Sequence, residues 1–154
     1  MTSAIETKLA ELGVTLPDAP AVAGNYVPYV ISGDLVFISG QISVNADGLI
    51  TGKLGDNFTV EQGMAAAKAC AINLLSQLKA ACDGDLDRLV RVVKLGGFVN
   101  STPDFVDQPQ VINGASDFLV AALGDIGMHA RAAVSAPSLP MGVAVEIDGV
   151  FQIK

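Results

Sequence analysis

The 154-residue chain has no tryptophan, two tyrosines and six phenylalanines, so it offers few rings on which bases could stack. Basic residues are scarce as well, 9 against 16 acidic, for a net charge of −7. Their one close grouping, RLVRVVK, lies inside an apolar strand-like pattern. Nucleic-acid binding draws on a basic field that displaces phosphate counterions, and this chain lacks one, so no nucleic-acid partner is expected. There is a single histidine, and no grouping of His, Cys, Asp or Glu has metal-ligand spacing; the expectation is no metal. No apolar run approaches the roughly 20 residues that cross a bilayer, so no membrane partner is expected. MTSAIETKLAELG has acids and no basic leader region, which makes a secretory signal unexpected and the cytoplasm the default compartment.

Cysteine is limited to Cys70 and Cys82. Both fall in one expected helix, roughly 18 Å apart at about 1.5 Å per residue, too far for a disulfide there. Two small buried apolar residues is the expected role. Charged residues make up only 16% of the chain, against about 25% in ordinary domains, while 51% is hydrophobic. So small a protein has too few charges to cover its surface, which predicts that copies of the chain cover one another.

Two familiar motifs fail on inspection. GLITGKL has one residue too few between its glycines for a phosphate loop, and leucine stands where a magnesium-binding hydroxyl belongs. FISGQIS lacks the glycine pattern of a nucleophile elbow, and nothing places an acid behind His129 to build a serine triad.

The pattern predicts one domain, 1–154: an N-terminal helix and arm over 1–23 and a core over 24–154. Ser3 and Glu6 form a capping-box pattern, with Gly13 at the helix end. YVPYVISGDLVFISGQIS predicts a hairpin about Ser32-Gly33-Asp34, and VNADGLITGKLG a short strand among turns. TVEQGMAAAKACAINLLSQLKAACDG predicts the longest helix, capped by Thr59 and Gln62. In the strand LDRLVRVVKLGGFVN, strict alternation groups Leu89, Arg91, Val93 and Leu95. A helix from about Asp107 to Leu123 and two further strands complete an α+β layer, one mixed sheet with both long helices on one face.

The last two strands carry the chemistry. Alternation places Val143, Val145, Ile147, Phe151 and Ile153 on one face and Ala144, Glu146, Asp148, Val150 and Gln152 on the other. His129, Arg131 and Ala133 share a face opposite Ala130, Ala132 and Val134. A guanidinium and a carboxylate on such apolar strands admit two readings: a structural ion pair, or a fork that grips a carboxylate beside an acid/base group.

NYVPYVISGDLVFISGQIS, LVRVVKLGGFVNSTPDFVDQPQVIN and HARAAVSAPSLPMGVAVEID together resemble the RidA family, also called YjgF, of reactive-intermediate deaminases. Ser39-Gly40-Gln41, Ala130-Arg131 and Leu139-Pro140 followed by Val145-Glu146-Ile147 carry the likeness, which spans roughly residues 24 to 154. The resemblance implies a chorismate-mutase-like fold, a homotrimer whose sheets form a central barrel, and pockets between subunits that need no cofactor. It also implies hydrolysis of 2-imino and 2-enamino acids, with a small carboxylate as the bound partner. Arg131 would be the carboxylate clamp and Glu146 the group handling water, the two catalytic residues. Gly40 would offer its N–H to the carboxylate, and Tyr26, Ser39, Phe98 and Asn113 would line the pocket. Ala133 stands where the family often has cysteine, Asn25 where many members have proline, and IDGVFQ is more polar than the usual ending. A non-catalytic sensor of 2-oxo acids would use the same pocket. The endoribonuclease or translation-inhibitor role of some relatives fits the acidic charge least.

Overall fold

The computed structural model describes residues 3–154; Met1 and Thr2 of the expected N-terminal helix and arm lie outside the described residues. Ser3 accepts from the Glu6 N–H at 3.0 Å and starts helix α1, Ala4–Glu11, while Glu6 itself pairs with Lys79. Gly13 follows the helix with φ +76°, a conformation that side chains disfavour. The arm then passes the second helix, where the buried Gln77 holds it by donating to the Pro20 carbonyl at 2.7 Å.

The hairpin is β1, Tyr29–Ser32, and β2, Leu35–Ile42. A two-residue ribbon follows, β3, Val44–Asn45, and β4, Gly48–Leu49. Helix α2, Val60–Ala81, opens with the expected capping box: Thr59 and Gln62 exchange bonds of 2.9 and 3.1 Å. Then come β5, Leu89–Asn100, α3, Gln108–Leu123, β6, Ala130–Ala136, and β7, Val145–Ile153. The main sheet has the order β1-β2-β7-β5-β6. Only β5 and β6 run parallel, and α3 is the crossover such a pair requires.

Both long helices pack on one sheet face, over Val36, Ile38, Leu95, Val99, Val145, Ile147 and Phe151, all buried. Cys70 and Cys82 are free and buried in this layer, and burial pushes the Cys70 thiol well above its usual pKa. Small residues let α2 and α3 approach closely, as the alanine content of α2 requires. A Cβ at Gly114 of α3 would overlap the backbone carbonyl of Met64 in α2, which no rotamer change can relieve. Gly114→Ala is therefore expected to destabilise the chain by about 1–3 kcal/mol, read from urea denaturation; an unchanged midpoint would contradict this packing.

Strict alternation fails in β5. Leu89, Val92 and Leu95 are buried, whereas Arg91 is exposed and Val93 only half-buried. Register shifts against β7 at Leu89/Arg91 and Val92/Lys94 each insert a residue and reverse which parity faces the core.

The opposite sheet face has no covering layer in the single chain. Val30, Phe37, Phe98 and Val134 stand exposed across four of its strands. Val30, Phe37 and Phe98 help line an open concavity of about 510 Å³ with Ser39, Lys94 and Asp148. Among the described residues no helix is long and apolar enough to cross a membrane.

Candidate active site

The sequence-expected site residues fall into two clusters and a shared face. Arg131 sits on edge strand β6 opposite the buried Leu95, so its side chain leaves on the helix-covered side. There α3 receives it. Arg131 Nη1 donates to Asn113 Oδ1 at 2.8 Å and to Ser116 Oγ at 3.1 Å, and Nη2 donates to the Pro109 carbonyl at 3.2 Å. All three acceptors are neutral, and Arg131 makes no ion pair among the described residues. Neutral acceptors orient the guanidinium without cancelling its charge, and three bonds leave two of its five N–H groups for another acceptor. Arg131 opens on a concavity of about 250 Å³ bordered by Ser116, Asp117, Met128 and His129.

Glu146 lies on the other sheet face. Its cross-strand neighbours are Ile42 on β2 and Phe98 on β5, and Phe98 in turn neighbours Val134. Glu146, Gly40 and Tyr26 line one cavity of about 360 Å³, walled by arm residues Pro20 to Ala23 and by Pro140 and Met141. Glycine at position 40 is required by this geometry. Between Ile38 and Gln41 the β2–β7 register shifts, and a Cβ on Gly40 would overlap the Glu146 carboxylate. Because the overlap is with the end of a flexible side chain, Gly40→Ala should displace Glu146 rather than unfold the chain. The melting temperature is therefore expected to stay nearly unchanged, and a loss as large as that of Gly114→Ala would show that Glu146 cannot yield.

Burial holds the half-buried Glu146 carboxyl above its ordinary pKa, and the charge of Asp148 adds to the rise. Burial also raises Asp148, which is the more exposed of the two, so water screens it better. A carboxylate raised toward neutrality suits proton transfer.

Ser39 stands on the open face with Phe98, and its hydroxyl donates to the Val27 carbonyl at 2.8 Å, which ties the arm to β2 beside Tyr26. The structure thus joins Asn113 to Arg131, joins Tyr26 and Gly40 to Glu146, and places Ser39 and Phe98 on the open face. It does not join Arg131 to Glu146. The two are roughly 10 Å apart along β5 and roughly 10 Å apart across it, on opposite faces, which eliminates the ion-pair reading within one chain. Sequence reading passed over Ser116, and weighed His129 only as a member of a serine triad. The available signal was the spacing of Pro109, Asn113 and Ser116, which i, i+4, i+7 puts on one side of a helix.

The five-stranded mixed sheet under two helices defines the class, a chorismate-mutase-like α+β protein. The chain belongs to the YjgF family: residues 6–148 match the family described as "YjgF/chorismate_mutase-like, putative endoribonuclease". Protein TCP17 of Trypanosoma cruzi is 49% identical over 97% of this chain and 94% of its own length. The crystal structure of Atu1372 from Agrobacterium tumefaciens superposes with a TM-score of 0.90 at 48% identity, covering 97% of this chain and 93% of that one. A 2-iminobutanoate/2-iminopropanoate deaminase of Dermatophagoides farinae is 25% identical over 92% of this chain and 95% of its own.

Proposed function

We propose that this protein hydrolyses reactive 2-imino acids, and their 2-enamino tautomers such as 2-aminoacrylate, to 2-oxo acids and ammonia, in a site shared by copies of the chain arranged as a trimer. The observation that carries the reading is Arg131, a half-buried cation fixed by three neutral acceptors and in no ion pair among the described residues. A relative that carries the name of such a deaminase supports it. The exposed apolar sheet face and the free edge of β6 supply the surface that neighbouring copies would cover. Docking there brings Arg131 of one copy toward Glu146 of another, which the single chain keeps apart.

The reaction needs little from the protein, because an imine carbon is already electrophilic. Arg131 grips the substrate carboxylate bidentately, and the Gly40 N–H adds a donor. Tyr26, Ser39, Phe98 and Asn113 shape the pocket. Glu146 takes a proton from water as the water oxygen bonds to the imine carbon. The C=N π pair moves to nitrogen, which takes that proton from Glu146. The hydroxyl proton of the resulting carbinolamine then passes through Glu146 to the amine, the C–N bond breaks, ammonia leaves, and an oxygen lone pair completes the C=O bond. No oxidant or reductant enters. Orientation plus one proton-transfer group can account for the acceleration.

The test is the release of ammonia and 2-oxo acid from 2-iminopropanoate generated in place by an amino-acid oxidase, compared with the spontaneous rate. Acceleration proportional to protein supports the reading. A rate equal to the spontaneous one, with pyruvate still bound, would instead establish a carboxylate sensor; the separation of Arg131 from Glu146 within one chain is what favours that second reading. RNA cleavage is disfavoured by the net charge of −7.

A further inference from the structure

The neutral cradle around Arg131 continues beyond the residues that hold it. Ser116 Oγ accepts a hydrogen from Arg131, so its own O–H is free to donate. The acceptor 2.9 Å away is His129 Nε2. Nε2 can accept from that O–H when the imidazole proton sits on Nδ1. Nδ1 lies 2.6 Å from the Gly127 carbonyl, a group that can only accept. All three contacts therefore agree on one direction: Arg131 N–H to Ser116, Ser116 O–H to His129, His129 Nδ1–H to Gly127.

We propose that Ser116 and His129 are positioning residues that aim the Arg131 guanidinium and set its affinity for carboxylates. This rests on the reading of Arg131 as the carboxylate clamp. The physical case is one of geometry. His129 stands two residues before Arg131, on the same side of β6, and Ser116 faces both from α3. An arginine has several rotatable bonds, so an unsupported fork loses much of its freedom only when a ligand binds. The relay removes that freedom beforehand, and because none of its members is anionic it does so without competing for the charge. Asp117, also bordering this concavity, makes no ion pair with Arg131 and stays outside the relay.

The experiment uses the intact protein and pyruvate as probe. His129 is the only histidine, so its ¹⁵N resonances need no assignment. They should report the Nδ1–H tautomer in the unaltered chain, and Ser116→Ala should release the ring to a mixture of tautomers. Ser116→Ala and His129→Ala should each weaken pyruvate binding about tenfold. The same loss should appear in KM rather than kcat for 2-iminopropanoate, and Ser116→Thr should restore both. An Nε2–H tautomer in the unaltered chain overturns the relay, as does unweakened pyruvate binding by Ser116→Ala where Arg131→Ala abolishes it; in either case the clamp itself stands. If Arg131→Ala binds pyruvate as the unaltered chain does, the clamp falls and the relay with it.

Discussion

Arg131→Ala should lower kcat/KM for 2-imino acid hydrolysis by about a hundredfold or more, with the oligomer intact by light scattering. A bond to an ionised partner contributes about 1.5–3 kcal/mol, and a bidentate carboxylate loses two of them. The change also removes the group around which Asn113, Ser116 and Pro109 are arranged, but Pro109 is exposed and Asn113 and Ser116 are only half-buried, so water can reach those acceptors instead. Loss of function should therefore far exceed loss of stability. Arg131→Lys keeps the charge and loses the planar fork, so it should recover only part of the rate. Wild-type turnover by Arg131→Ala would remove the basis of the proposed function, since among the described residues no other arginine and no lysine borders the two cavities that hold Arg131 and Glu146.

The second large effect is expected at Glu146. Glu146→Gln is nearly isosteric but cannot carry a proton, so kcat should fall by about 10²–10⁴. The pH profile supplies an independent check. Burial and the Asp148 charge raise the carboxyl, so the acid limb of kcat/KM should lie above the ordinary glutamate range. Asp148→Asn should move that limb to lower pH. Linkage fixes the sign for stability. A raised pKa means the folded chain holds its proton at pH values where the unfolded chain has released it. Stability from Glu146 is therefore full below the unfolded pKa and is lost as pH rises through the folded one. Urea midpoints for Glu146→Gln should show less of this loss across the same interval. An unshifted acid limb, or a kcat insensitive to Glu146→Gln, would leave water activation to some other group.

Much of this architecture was legible residue by residue. Capping signals at Thr59 and Gln62, the Ser32-Gly33-Asp34 turn and the stops at Gly13 and Gly124 are local, and the elements begin and end there. The alternation of β7 held throughout, because Val145 to Ile153 runs without an inserted residue of its own against β5's two shifts. In β5 the same rule failed, since a bulge is decided by how two strands twist against each other and leaves no mark in hydrophobicity. The reading of Arg131 and Glu146 as site residues came from the company they keep in the sequence. Ser116, and its link to His129, were missed because their meaning depends on a hydrogen-bond direction, and side chains from α3 and the start of β6 meet only when the crossover folds back.

Taken by itself, the sequence determined the elements, their order, the apolar surplus that one copy cannot bury, and which residues share a face within each unbulged strand. Those are consequences of chain-local geometry and composition. Only the tertiary structure decided that Arg131 and Glu146 occupy opposite faces of the sheet. Side-chain alternation relates positions along one strand, whereas the relation between β6 and β7 passes through β5, whose pairing is parallel on one side and antiparallel with two register shifts on the other.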